Sequence, residues 1–201
     1  IYKNLYSEKK MDKILSDESF VNKILLFEKM LLKANYHLKN IPHKAYQNIY
    51  KAINTCDFKT YQLQENLEYS GVLTINILNN IKRNINKNYL PYLHYGATSQ
   101  DAIDTAMILQ IKEARSLLTN NLKKITSKLY NLAKKNTNTF TVARTRNKIA
   151  TLTTFGYKAS NWLLPILRNL ERLNKVYDGG LLAVQLGGPI GDLSSFNYKG
   201  N

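Results

Sequence analysis

Apolar residues recur at helical spacing along most of the chain, and the most regular run lies in its middle. Successive members of this run are three or four positions apart, so the mean period is about 3.6 and the residues form one stripe. The stripe consists of Ile103, Met107, Ile111, Ala114, Leu118, Leu122, Ile125, Leu129 and Leu132. The pattern predicts a helix of about 32 residues, roughly 48 Å long. Such a length is typical of large helical bundles.

The residues before this run carry shorter helical patterns. Residues 1–15 show no clear period and are predicted to form an extended or frayed arm. Ser16 is a suitable N-cap for a helix, whose apolar face is predicted to be Val21, Ile24, Leu25, Leu31 and Leu32. Pro42, tolerated in a first helical turn, begins a second helix with the apolar face Ala45, Ile49, Ala52 and Ile53. Short helices are predicted around 58–69 and 72–86.

A domain boundary is predicted just before the long stripe. Residues 84–88 are polar and turn-like, and Pro91 cannot continue a helix. We therefore expect an N-terminal helical domain over residues 1–92. Residues 93–201 are expected to form the first part of a central helical bundle domain.

A second long helix is predicted over Thr153–Val176, after a polar break at Asn136–Thr141. Pro165 inside it should kink the helix or leave one carbonyl unpaired. The buried face is predicted to contain Ala159, Leu163, Ile166, Leu170 and Leu173. The fold class is therefore predicted to be all-α. Two long amphipathic helices cannot cover each other's stripes completely, so other copies or further chain must complete the bundle.

The amino-acid composition excludes fewer classes of function than the hydrophobic pattern does. The net charge of +15 is spread along the chain as isolated lysines. Three readings remain open: an A/T-rich genome, attraction of a small anion, and nucleic-acid binding. The single cysteine, Cys56, excludes an internal disulfide framework and suits a reducing cytoplasm. It is interpreted as a structural or surface thiol rather than a nucleophile. No signal-peptide layout and no membrane-spanning run are present.

One short stretch concentrates chemical groups at the start of the long helix. Residues 94–105 read His-Tyr-Gly-Ala-Thr-Ser-Gln-Asp-Ala-Ile-Asp-Thr. Thr98 and Asp101 have the spacing of a capping box. Free backbone N–H groups and hydroxyls at a helix start favour an anionic ligand. The local chemistry therefore predicts an anion site without naming a reaction.

This stretch resembles the first signature of the fumarase/aspartase/adenylosuccinate lyase superfamily. A second match is Ala143-Arg144-Thr145-Arg146 with the later run Thr153–Ala159 and Trp162, and a third is Gln185–Gly191. Within the superfamily, the resemblance is closest to the 3-carboxy-cis,cis-muconate cycloisomerases, in which Arg is also known at the position of Arg146 where most relatives have His.

The resemblance implies a cytoplasmic homotetramer with a central helical bundle, in which each active site draws motifs from three subunits. It implies proton chemistry beside a carboxylate of a small polycarboxylate substrate, through a carbanion. In the cycloisomerases, which act in the catabolism of aromatic compounds, this chemistry closes a lactone ring. In the lyases it releases fumarate. The resemblance implies no metal and no organic cofactor. No nucleic-acid or membrane partner is expected either, because the lysines are isolated and no membrane-spanning run is present.

The resemblance also implies roles for individual residues. His94 would act as a general acid or would bind the part of the substrate that leaves. The substrate-binding residues would be Thr98, Ser99, Arg144, Thr145, Arg146, Lys148 and Gln185, with Arg suited to a bidentate grip on a carboxylate. Gly96, Asp101 and Asp104 would organise the first motif.

Several positions depart from the superfamily pattern. Lys148 stands where the second motif has Gln, and Leu152 stands where it has Pro. Pro189 and Asp192 replace small or hydroxyl residues. The mobile Gly-Ser-Ser loop that carries the catalytic Ser does not occur in residues 1–201, and Ser194-Ser195 lack its Met-Pro-x-Lys continuation.

These observations lead to one preferred expectation and two alternatives. The chain is expected to be the N-terminal part of a cycloisomerase-like protein, weakly active or inactive by itself; Ile1, rather than Met, at its start agrees with a fragment. The first alternative is an adenylosuccinate lyase-like enzyme, although Arg146 stands where that enzyme has His. The second is a non-catalytic helical scaffold that pairs with a full-length relative.

Overall fold

The computed structural model describes residues 3–57, 63–64 and 67–196. Helices dominate this part of the chain, and its sheet has two strands. The predicted all-α class is therefore confirmed. The chain divides into two compact units, Ile1–Lys112 with Ala183–Asn201, and Glu113–Leu182. The predicted domain boundary after residue 92 stays a prediction.

The first unit is built from short and medium helices. They are α1 (Lys3–Tyr6), α2 (Lys9–Ile14), α3 (Asp17–His37), α4 (His43–Asn54), α5 (Leu67–Ser70), α6 (Leu73–Lys82) and the beginning of α7 (Ser99–Lys135). The predicted extended or frayed arm is wrong for the described residues 3–14, because α1 and α2 lie there. The carboxylate of Glu8 caps α2 by accepting from the Met11 N–H at 2.8 Å.

The predicted helix faces form the core of this unit. Ser16 caps α3 as predicted, and its hydroxyl accepts from the Ser19 N–H at 3.1 Å. All predicted face residues of α3 and α4 are buried, and Ile77 and Ile81 of α6 join them. The helix predicted around 58–69 lies largely outside the described residues. Burial of these aliphatic side chains is the main driving force for this unit.

Residues Lys87–Tyr92 form a short 3₁₀ helix that contains Pro91. The prediction of a non-helical segment here is therefore only partly right. A 3₁₀ helix has i→i+3 hydrogen bonds, and the turn that contains Pro91 is closed by the Leu93 N–H, which donates to the Leu90 carbonyl at 3.1 Å. The missing N–H of Pro91 does not interrupt that turn.

The long helix α7 is the predicted one, with 37 residues rather than about 32. Its apolar stripe stays largely open in the described chain. Met107, Ile111, Leu118 and Ile125 are each 41–46% exposed. A stripe of this length without a cover agrees with the predicted incomplete bundle.

The second unit contains the rest of α7, a hairpin and helix α8 (Phe155–Asp178). The hairpin, β1 (Phe140–Thr145) with β2 (Lys148–Thr154), is antiparallel and was not predicted. The sequence features that favour a hairpin here are the β-branched residues of both strands and the two-residue loop between them. Ala159 and Leu163 of the predicted α8 face are buried, whereas Ile166, Leu170 and Leu173 are only half-buried.

Gly156 allows the start of α8 to pack closely against the end of α7. A Cβ at this position would lie 2.6 Å from the Ala133 carbonyl oxygen. The Gly156 N–H donates to the Asn136 carbonyl at 2.9 Å. Across the described residues, no helix is long and apolar enough to cross a membrane.

Candidate functional site

His94 lies between the 3₁₀ helix and α7 in a strained backbone conformation. Its φ is +57°, in the left-handed region that a residue with a Cβ rarely adopts. Its Nδ1 lies 2.6 Å from Oε1 of Glu28, whose side chain is 1% exposed. Its Nε2 is buried and has no hydrogen-bond partner among the described residues. Backbone strain together with a buried partnerless nitrogen is typical of a functional residue rather than a structural one.

The residues after His94 are also held by α3. Asn35 of α3 is buried, and its Nδ2 donates to the Tyr95 carbonyl at 3.2 Å. The same amide donates to the Leu31 carbonyl, and its oxygen accepts from Asn40. The amide therefore connects the first signature to the core of the first unit.

Asp101 connects the start of α7 to the third motif. Its side chain is fully buried. Oδ2 accepts from the Thr98 N–H at 2.9 Å, which is the backward bond of the predicted capping box. Oδ1 accepts from the Gly187 N–H at 2.9 Å, and Oδ2 also accepts from the Gly188 N–H at 3.0 Å. One carboxylate thus fixes the geometry of two motifs that are far apart in sequence.

Other contacts hold the same two motifs together. The Gln185 N–H donates to the Thr105 hydroxyl at 3.0 Å, and that hydroxyl donates to the Gln185 carbonyl at 3.2 Å. The side chain of Gln185 is exposed. Asp104 accepts from the Gln100 amide at 2.6 Å. Thr98 and Ser99 are half-buried at the first turn of α7.

Gly96 is required by a close approach of an aromatic ring. Its φ is +81°, and a Cβ there would lie 2.4 Å from the ring of Phe196. The same ring meets Tyr95 edge-on, with centroids 6.4 Å apart. Only glycine satisfies both the backbone and the space at this position.

The remaining predicted site residues lie on the hairpin of the second unit. Arg144, Thr145, Arg146 and Lys148 are all exposed, and Arg146 is the first loop residue, with φ +48°. Arg144 also lines a groove of about 730 Å³ together with Lys158, Tyr157 and Asn161. The hairpin therefore presents several cations on one exposed segment.

The structure brings together only part of the predicted residue set. The first unit contains His94, Gly96, Thr98, Ser99, Asp101, Asp104 and Gln185, and the second unit contains the hairpin residues.

The residues that sequence reasoning missed are Glu28 and Asn35. The sequence does mark Glu28 as unusual, because its carboxylate lies four residues from both Ile24 and Leu32 on an apolar helix face. No cluster of His, Cys, Asp and Glu suited to a metal occurs in the part of the chain that the structure describes.

Comparisons with known proteins agree with the motifs and the fold. A family described as lyase matches residues 2–197. The chain is 32% identical over 197 residues to the adenylosuccinate lyase of Pyrococcus abyssi, covering 96% of this chain and 43% of that protein. It is 34% identical over 187 residues to the 3-carboxy-cis,cis-muconate cycloisomerase of Bradyrhizobium diazoefficiens, covering 92% and 41%.

A solved structure gives the same result in three dimensions. The 3-carboxy-cis,cis-muconate lactonizing enzyme of Pseudomonas putida matches with a TM-score of 0.92 and 30% identity, over 99% of this chain and 46% of that one. The chain spans less than half the length of these relatives. Lyases and cycloisomerases match at similar identity, so neither activity is singled out. Because the lyase family covers nearly the whole chain and the fold matches too, the chain belongs to this lyase family of the fumarase/aspartase superfamily.

Proposed function

We propose that this chain supplies part of an active site that moves a proton beside a carboxylate of a small polycarboxylate. The observation that carries the proposal is the buried, partnerless Nε2 of His94. Imidazole exchanges protons near neutral pH, which suits a general acid or base. His94 stands four residues before Thr98, at the approach to the N-terminus of α7.

The anion-binding part of the proposal is based on the helix start and the hairpin. Thr98 and Ser99 offer hydroxyls where the N-terminal N–H groups and the dipole of α7 favour a carboxylate. Gln185 lies beside α7 because Thr105 holds its backbone, and Asp101 holds the following Gly187-Gly188 segment at the first turn. Arg144, Thr145, Arg146 and Lys148 would bind substrate carboxylates from the hairpin, and by resemblance the hairpin would come from another copy of the chain in a homotetramer.

The preferred reaction is lactonisation of a 3-carboxymuconate-like substrate. Arg146 supports this choice, because the resembling cycloisomerases also carry Arg where adenylosuccinate lyases have His. The second candidate is fumarate release from adenylosuccinate. It is supported by the 32% identity to the Pyrococcus abyssi adenylosuccinate lyase over almost the whole chain.

Two chimeras distinguish these reactions. In a cycloisomerase chimera, residues 2–197 replace the matching part of the Pseudomonas putida enzyme. In an adenylosuccinate lyase chimera, they replace the matching part of the Pyrococcus abyssi enzyme. Each chimera is assayed for lactone formation from 3-carboxymuconate and for fumarate release from adenylosuccinate.

The proposal predicts lactone formation by the cycloisomerase chimera and little fumarate release by the other. Fumarate release without lactone formation would reverse the ranking. If both chimeras fold and assemble but neither turns over its substrate, the non-catalytic scaffold is favoured instead. Circular dichroism and light scattering on both chimeras separate that result from misfolding.

A further inference from the structure

We infer that Glu28 is a positioning residue that holds His94 in one tautomer and one orientation, with Nε2 as the nitrogen that exchanges protons with substrate. This inference deepens the proposed function, since His94 is the catalytic residue there. Glu28 itself does not touch substrate in this account. It acts through Nδ1 of His94.

The location of Glu28 requires an explanation beyond packing. It lies on the buried face of α3, with Ile24 and Leu32 one turn away on either side, and is 1% exposed. Burying a carboxylate among aliphatic side chains is unfavourable unless it is paired and hydrogen-bonded. Its Oε1 lies 2.6 Å from Nδ1 of His94, a short contact of the kind that a charged donor or acceptor produces.

A second residue of α3 fixes the backbone beside His94. Asn35 is seven residues after Glu28, so the two side chains lie on the same helix face. Its Nδ2 donates to the Tyr95 carbonyl at 3.2 Å. Glu28 therefore holds the imidazole while Asn35 holds the adjoining peptide. Two contacts from one rigid helix restrain a residue whose φ is +57°.

The pairing determines which nitrogen reacts. An ionised carboxylate only accepts hydrogen bonds, so Nδ1 must carry the proton that joins it to Glu28. In the neutral imidazole, Nε2 then holds the free lone pair; in the imidazolium, it holds the transferable proton. In this arrangement the proton leaves from or returns to Nε2, while the Nδ1 proton stays in the hydrogen bond to Glu28.

The tautomer is measurable without any assay of activity. We would record long-range proton–nitrogen NMR correlations of the histidine rings in the 201-residue chain at a pH where the imidazoles are neutral. His94→Gln assigns the His94 signals. The inference predicts the Nδ1–H tautomer in the wild-type chain. A wild-type spectrum with the proton on Nε2 would overturn the inference, and this reading needs no further variant.

Glu28→Gln tests the cause of the preference. Glutamine has nearly the same shape, but its amide can accept from or donate to Nδ1, so the His94 ring should shift to the other tautomer or to a mixture. The signals of His37 and His43 serve as the internal control and should not move. Because the glutamine oxygen can still accept from Nδ1–H, Glu28→Leu is the deciding variant, since it removes the acceptor altogether. An unchanged Nδ1–H tautomer of His94 in a folded Glu28→Leu chain contradicts the inference.

The same substitution in the cycloisomerase chimera connects the tautomer to turnover. We expect kcat for lactone formation to fall about 100-fold with little change in KM, within the range ascribed to general acid–base groups. Glu171→Gln is the charge-matched control, because Glu171 is exposed and pairs with Lys175. Unchanged kcat in both Glu28→Gln and a folded Glu28→Leu chimera would contradict the inference. An inactive parent chimera would instead count against the proposed function and leave the NMR result standing.

Discussion

At the scale of single residues, buried hydrogen bonds hold the first and third motifs together. Asp101 accepts from three backbone N–H groups, one in its own helix start and two in the Gly187-Gly188 segment. A buried carboxylate with three donors is well compensated for its lost hydration. Removing its charge should therefore affect two distant segments together.

Asp101→Asn should lower the free energy of unfolding by roughly 3 kcal/mol, since bonds to a charged acceptor contribute about 1.5–3 kcal/mol each and are not additive. Urea unfolding measures this change. The matched control is Asp104→Asn, which removes a surface i,i+4 contact with Gln100 and should cost only about 0.5 kcal/mol. Equal losses in the two variants would contradict the linking role of Asp101.

Cys56 gives a pH-dependent prediction at the same scale. Burial, and secondarily the carboxylate of Asp57, raise the pKa of the Cys56 thiol above its ordinary value. The thiolate is the reactive form, so alkylation should reach half its limiting rate at a higher pH than in an unstructured peptide. Mass spectrometry of iodoacetamide labelling measures this midpoint, and Asp57→Asn should lower it slightly. A midpoint below that of the peptide would contradict the interpretation of Cys56 as a structural thiol.

Sequence reasoning predicted most of the first motif but not its supports. Thr98 and Asp101 have a spacing that local rules interpret directly, because both ends of a capping box lie within four residues. Glu28 and Asn35 act on His94 and Tyr95 from a different helix, and that pairing depends on how α3 packs. The apolar pattern showed that Glu28 was unusual but could not show which residue it meets.

At the scale of elements, the unpredicted hairpin and the open stripe of α7 are the important features. Both hairpin strands contain β-branched residues, yet the strands are short and exposed, so no alternation between buried and polar positions identified them. The long helix was easier to predict, because its period persists over nine apolar positions. A long periodic run of apolar residues can be recognised in the sequence. A short exposed hairpin forms through pairing between its two strands, which the sequence does not show.

Arg146→Gly tests why a charged residue lies at the hairpin loop. Glycine adopts the observed φ of +48° without strain, so the variant should be more stable by about 0.5–1 kcal/mol. In the cycloisomerase chimera, the same change should raise KM for 3-carboxymuconate, because a carboxylate-binding cation is lost. Thermal unfolding and steady-state kinetics measure the two effects.

Asn147→Gly is the neighbouring control for Arg146. Its φ is not positive, so glycine there should only lower stability. If Arg146→Gly gains stability with no change in KM, the arginine has no role in substrate binding.

The stripe of α7 predicts self-association of the chain. Leu118 and Ile125 lie on one face and are 45% and 43% exposed. Size-exclusion chromatography with light scattering should show an oligomer, and Leu118→Glu with Ile125→Glu should shift it towards monomer, because two charges would be buried at the contact. Asn120→Glu with Ser127→Glu adds the same charge on another face and should leave the oligomer intact. A monomeric parent chain would contradict this prediction.

At the scale of the whole molecule, the residues of the proposed site are divided between the two units. His94 and its supports belong to the first unit, and the cationic hairpin belongs to the second. The chain spans 46% of the lactonizing enzyme that shares its fold. Sequence motifs identified the superfamily because each motif is local. The assembly of motifs from several copies is a property of packing between chains, so it stays a proposal based on resemblance.

The net charge of +15 agrees with the proposed anionic substrate without selecting it. Positive potential attracts polycarboxylates and nucleic acids alike. The motifs make the distinction, because they combine an imidazole, hydroxyls at a helix N-terminus and arginines. That combination supports binding and protonation of a small carboxylate.

The most direct test of the account is the effect of His94→Gln on lactone formation by the cycloisomerase chimera. If Nε2 of His94 exchanges the substrate proton, kcat/KM should fall about 10²–10⁴-fold, since general acid–base catalysis contributes that much. His37→Gln and His43→Gln should leave kcat/KM unchanged. A folded, assembled His94→Gln chimera with the kcat/KM of its parent would contradict the account.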